Sequence, residues 1–161
     1  MRKTVTLFAF AVFASGIASA QYKKQVQTGQ QKAPAQQQPM QASQAAQVEA
    51  ALAKVRRISE QDSYRLLTNG SAVIVDVRSN SQYQLGHIKG SVSIPRSQIV
   101  SRFKEIPPGK TVITYCACSA EQTSGLAVIE LANHGVKNAA AMKGGWHAWQ
   151  AAGFPTAKGP Q

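Results

Sequence analysis

The chain is short of cysteine, of acidic residues and of long apolar runs, and each shortage excludes something. Two cysteines among 161 residues, Cys116 and Cys118, exclude a disulfide-rich scaffold. They also supply only half of a tetrahedral zinc site, and His134 and His147 stand singly without ligand spacing, so no metal and no other cofactor is expected. The N-terminal apolar stretch, Leu7 to Ala14, falls well short of the roughly 20 residues a membrane-crossing helix needs, so no membrane span is expected. Aspartate and glutamate number 7 against 18 lysines and arginines, a formal charge of +11, which favours anionic partners. The basic residues are nevertheless scattered as singles and pairs, such as Lys23-Lys24 and Arg56-Arg57, without interleaved aromatics; nucleic acid is not expected. No internal repeat is present.

The first twenty residues, MRKTVTLFAFAVFASGIASA, pass from a basic start through the apolar stretch to Ala18-Ser19-Ala20. This reads as a secretory signal peptide over 1–20, with the mature protein starting at Gln21 and exported to the periplasm or secreted. Residues 21–47, rich in Gln, Ala and Pro, cannot bury enough apolar surface to offset ordering entropy and read as a disordered linker. The Ala content allows a short helix near Gln41 to Lys54. Residues 48–158 suffice for one globular domain with a single core.

Within that domain, Ser59-Glu60-Gln61-Asp62 has the form of a capping box before a short helix that Asn69-Gly70 stops. SAVIVDVR and KTVITYC are continuous apolar runs, as in strands covered on both faces. Ser81 to Leu85 reads as a short helix, SVSIP as a short strand, and SGLAVIELANHG as an apolar helix closed by Gly135. KNAAAM reads as a last strand, followed by a short helix carrying Trp146 and Trp149 that covers the sheet. Alternating strands and helices predict an α/β domain with a mostly parallel sheet.

Cys116 follows the strand Thr111 to Tyr115 directly, and a helix begins near Ser124. In an open α/β sheet this carboxyl edge is where ligands bind. Loop amides and the helix N-terminus stabilise an anion there, so the thiol is expected below its free pKa of about 8.5. Cys116 is therefore placed as a thiolate nucleophile.

At these residues the sequence resembles the single-domain rhodaneses, a family of sulfurtransferases. The resemblance spans about Ser59 to Pro155 and rests on VIVDVRSNSQYQLGHIKGSVSIP, the junction VITYC, the helix after it, and MKGGWHAWQAAGFP, in that order. It implies a doubly wound α/β fold and sulfur transfer in two half-reactions. Cys116 would take sulfur from thiosulfate or another small anionic or persulfide donor, and a thiol acceptor, free or on a protein, or cyanide would remove it. Ala117, Cys118, Ser119, Ala120, Glu121, Gln122 and Thr123 would line the loop that cradles the persulfide. Asp76 and Arg78 match the family's DVR and read as structural support, bonded to each other or to nearby backbone. His87 and Trp149 match packing positions.

The chain departs from a common rhodanese loop, C-x-x-G-x-R-S. Its loop to Ser124 is longer, lacks Gly, and contains no Arg or Lys before Lys137. Glu121 is expected to bring negative charge close to the site, weakening thiosulfate binding and raising the Cys116 pKa. Positive charge from Lys89 or Lys143 would act the other way. Related phosphatases use Cys-x5-Arg; Gln122 stands at the Arg position, which argues against phosphatase chemistry. Cys118 has three readings: a small residue that fits the loop, a resolving thiol able to pair with Cys116, or a metal ligand. The alternatives to a sulfurtransferase are a catalytically weak binding module and a dithiol redox or metal-handling protein.

Overall fold

Two strands buried throughout except at Thr111, Ala72–Asp76 (β2) and Thr111–Tyr115 (β5), lie side by side at the centre of a parallel sheet. The computed structural model describes residues 37–118 and 120–160. Residues 1–20, read as a signal peptide, residues 21–36 of the expected linker, Ser119 and Gln161 lie outside the described residues. Around the central pair run Arg57–Ile58 (β1), Ala139–Met142 (β6) and Val92–Ser93 (β4), in the order β1-β6-β5-β2-β4 with all pairs parallel. His87–Ile88 (β3) and Thr156–Ala157 (β7) make a separate antiparallel ribbon.

Alternation along the central strands separates two apolar clusters, as expected when side chains point to opposite faces in turn. Val73, Val75, Val112 and Ala141 face one side, against Ala127, Val128 and Leu131 of the helix Gln122–Asn133 (α5). Ile74, Ile113, Tyr115, Ala140 and Met142 face the other, against Trp149 of the helix Gly145–Ala151 (α6) and Tyr64, Leu66 and Leu67 of the helix Glu60–Thr68 (α2). The fold is thus α/β, with helices on both faces of a parallel sheet. Trp149 is fully buried, donates its indole N–H to Pro155 O at 3.0 Å, and meets Tyr64 edge-on. Burying such a side chain contributes roughly 1.5–3 kcal/mol.

Local chemistry sets the helix ends. Ser59 accepts from Asp62 N at 3.1 Å, and Asn69 closes α2. The reciprocal capping box, however, occurs at Ser79 and Gln82, opening the helix Asn80–Leu85 (α3), because Gln82 reaches back to Ser79 N whereas Asp62 bonds the Ser59 hydroxyl instead. The helix Gln37–Ala53 (α1) begins inside the segment assigned to the linker by composition. Its Ala and Gln residues favour helix without a core, and residues 42–50 are exposed. Its last turn is anchored by Leu52, which packs where Gly125 of α5 has no side chain. No described helix is long and apolar enough to cross a membrane.

Candidate active site

Register places the site. Asp76 pairs with Tyr115 as the last residues of β2 and β5, and Val77 N donates to Tyr115 O at 3.1 Å. Two parallel neighbours that end in register release their chains at the same edge. Arg78 and Cys116 therefore face one cavity of about 390 Å³, lined by Val77, Arg78, Ser79, Gln82, Cys116, Ala117, Cys118 and Thr123.

Asp76 and Arg78 are buried and joined as the DVR reading expects. Arg78 donates to Asp76 from its backbone N at 2.9 Å, from Nε at 3.0 Å and from Nη2 at 2.6 Å, and Nη2 also reaches Gly86 O at 2.7 Å. The Tyr115 hydroxyl donates to Asp76 Oδ2 at 2.5 Å and accepts from Ile88 N at 3.2 Å. A buried carboxylate is tolerable only when fully bonded in this way. Burial, and then the Asp76 charge, push the Tyr115 pKa well up, so the phenol remains a donor. Burial opposes the Arg78 charge, but the bonds to Asp76 outweigh it and raise the Arg78 pKa. Trp146 covers the guanidinium at 4.8 Å.

Cys116 is almost fully buried at the end of β5, and its carbonyl accepts from Trp146 N at 2.9 Å. Gly145 makes that approach possible: its φ is 48°, and a side chain there would run into Cys116 O. Cys116 is bonded to Cys118 as a disulfide, with Cα atoms 5.7 Å apart. Ser124 Oγ lies 3.7 Å from Cys116 Sγ, and Thr123 Oγ1 lies 3.7 Å from Cys118 Sγ. Ser124 donates to Glu121 O at 2.9 Å, at the first turn of α5.

The loop corrects the expectation for Glu121. Of its residues, Ala117, Cys118 and Thr123 reach the cavity; Ala120 and Gln122 are exposed, and Glu121 does not line it. The reason is that Glu121 takes a left-handed conformation, φ 48°, alone among described non-glycine residues. This turns its side chain toward α6, where Oε1 accepts from Gly144 N at 2.7 Å and Oε2 meets Arg57 Nε at 3.4 Å. Its backbone N–H donates to Cys118 O at 3.2 Å and its carbonyl accepts from Gly125 N at 2.8 Å. Glu121 is thus a clamp between loop, α5 and α6, and its charge is engaged by Arg57. The positive charge beside the cysteines is Arg78; Lys89 and Lys143 are exposed and do not line the cavity.

Ser79 and Gln82 also line the cavity, and the sequence reading missed them. The available signal was their position just after β2, whose neighbour is the cysteine-bearing strand. Among the described residues no group of three or more His, Cys, Asp or Glu side chains converges as a metal site would require.

Residues 59–152, more than half of the chain, match the family model for the rhodanese-like domain. The chain belongs to the rhodanese-like family. This rhodanese-like domain is similar to a thiosulfate sulfurtransferase of Pseudoalteromonas translucida, 31% identical over 97 residues, covering 60% of this chain and 90% of that one. It also resembles the solved structure of a rhodanese-related protein from Thermoplasma volcanium, with TM-score 0.56 and 27% identity over 63% of this chain and 97% of that one. An HTH-type transcriptional regulator of Mycobacterium tuberculosis is 28% identical over 90 residues, 56% of this chain, but the chain spans only 39% of that protein's length.

Proposed function

We propose that the chain is an exported sulfurtransferase that carries sulfane sulfur as a persulfide on Cys116. The observation that carries this reading is Cys116 itself, at the carboxyl end of the central strand β5, opening on a cavity that Arg78 also lines. Ligands of open α/β sheets bind at this edge, and the α5 N-terminus favours an anion there. In the first half-reaction the Cys116 thiolate attacks the outer sulfur of thiosulfate, the S–S bond breaks, and sulfite leaves with the bonding pair. A thiol then takes the sulfur from the persulfide. The amides of the loop from Ala117 to Thr123, other than that of Glu121, which is bonded to Cys118 O, are proposed to hold the persulfide anion. Engagement of Glu121 by Arg57 and Gly144 removes the main electrostatic objection to a thiosulfate dianion.

The test is cyanide-dependent thiocyanate release after incubation with thiosulfate, with intact-mass analysis beside it. Wild type or its Cys118→Ser variant should gain one sulfur and release thiocyanate, and Cys116→Ser should do neither. Absence of both signals in both of the first two forms, with thiosulfate and with an organic persulfide, refutes the reading. Export is tested separately: the protein recovered from the native host should begin at Gln21, and an intact Met1 refutes it.

A second reading, a dithiol protein using both cysteines, is favoured by one observation, the Cys116–Cys118 disulfide. It predicts that Cys118→Ser abolishes sulfur loading as completely as Cys116→Ser.

A further inference from the structure

Two sulfurs in one cavity need not be rivals for one role. We infer that Cys118 is the built-in acceptor of the second half-reaction: it attacks the Cys116 persulfide, releases hydrosulfide and leaves the Cys116–Cys118 disulfide. This rests on the sulfurtransferase reading above and names the thiol that reading leaves open.

Three observations carry it. The two sulfurs are in bonding contact in this fold, and their Cα separation of 5.7 Å falls within the usual disulfide range of about 4.4–6.8 Å. Both cysteines line the cavity that would hold the persulfide. Each sulfur also lies 3.7 Å from a hydroxyl oxygen, Ser124 beside Cys116 and Thr123 beside Cys118, so each has a polar neighbour of its own.

The step balances without an oxidant. The Cys118 sulfur forms a bond to the inner sulfur, Sγ of Cys116. The bond from that atom to the outer sulfur breaks, and the outer sulfur departs with the electron pair and the Cys118 proton as HS⁻. Attack on the inner atom is favoured over attack on the outer one by the leaving group. Hydrosulfide is less basic than the alkyl thiolate that outer attack would expel, and less basic thiolates leave faster. A thiol one residue away competes well with free thiols, since short tethers give effective concentrations of order mM.

Regeneration needs an external thiol reductant, and the fold directs where it strikes. Cys116 is 2% exposed, whereas Cys118 is only partly buried. The reductant attacks Cys118 Sγ, the mixed disulfide forms there, and Cys116 leaves as the thiolate that starts the next cycle. A second thiol clears Cys118. The net conversion is of thiosulfate and two thiols into sulfite, hydrosulfide and a disulfide.

The experiment uses fully reduced mature protein, stripped of reductant and kept anaerobic. It is mixed with stoichiometric thiosulfate, and in parallel with cysteine persulfide; hydrosulfide and intact mass are followed, and sulfite in the thiosulfate arm. Wild type should release one hydrosulfide per chain and end two hydrogens lighter, with Cys116 and Cys118 in one disulfide-linked peptide. Cys118→Ser and Cys118→Ala should instead end one sulfur heavier, with hydrosulfide falling to the Cys116→Ser background until dithiothreitol is added. Wild type that keeps the added sulfur on either cysteine overturns the inference, as do Cys118 variants that release hydrosulfide as fast as wild type. Those outcomes leave the sulfurtransferase reading standing. Failure of every form to load sulfur from either donor overturns both.

Discussion

Replacing Glu121 separates a clamp from a site charge, because alanine and glutamine remove different things. Glu121→Ala deletes the acceptor of the Gly144 N–H bond at 2.7 Å and the partner of Arg57 at 3.4 Å. A hydrogen bond to a charged group is worth about 1.5–3 kcal/mol, and a partly exposed ion pair about 0.2–1 kcal/mol. These are not additive, and the expected loss is about 2 kcal/mol, dominated by the hydrogen bond. For a domain of this size that lowers Tm by roughly 9 °C. Glu121→Gln keeps an oxygen for Gly144 N and loses only the charge toward Arg57, so its cost stays below about 1 kcal/mol. Thermal unfolding of the three proteins, all with Cys116 and Cys118 reduced, reads this order directly. Equal losses for alanine and glutamine would refute the clamp, as would stabilisation by either. If Glu121 acted chiefly by repelling anions, both variants would speed sulfur loading from thiosulfate alike.

Gly145→Ala should unfold the protein more readily than Gly90→Ala and should displace Cys116. Both glycines have positive φ, but a Cβ at Gly145 meets Cys116 O, while none lies near Gly90. Gly90→Ala should cost only about 1–2 kcal/mol by denaturant titration, and a Gly145→Ala midpoint no lower than that of Gly90→Ala would refute the contact. Tyr115→Phe strips a hydroxyl from buried Asp76 and an acceptor from Ile88 N, and should cost about 1–3 kcal/mol in the same assay. A loss within error would mean that water replaces the phenol.

Much of this architecture was legible because it rests on local chemistry. Wholly apolar runs such as VIVDV and TVITY announce strands covered on both faces, and the strand-to-helix junction singles out Cys116. The two-residue strands Arg57–Ile58, His87–Ile88 and Thr156–Ala157 were not legible. They are too short to show a period and exist only because a partner strand is already in place. The helix Gln37–Ala53 overlaps the short helix expected near Gln41 to Lys54 but starts inside the linker read over 21–47, because composition predicts what can be buried, and residues 42–50 of this helix are exposed.

The sequence by itself determined the fold class, the place of the proposed nucleophile and the ordered motifs that mark a rhodanese-like domain, since each depends on neighbours along the chain. Only the tertiary structure decided which charges face the cysteines. Glu121, three positions from Cys118, is turned away by a left-handed backbone and held by Arg57 and Gly144. Arg78, thirty-eight positions from Cys116, is brought beside it by the register of two parallel strands. Charge along a chain reports composition, whereas the charge a thiol meets is set by where parallel strands end.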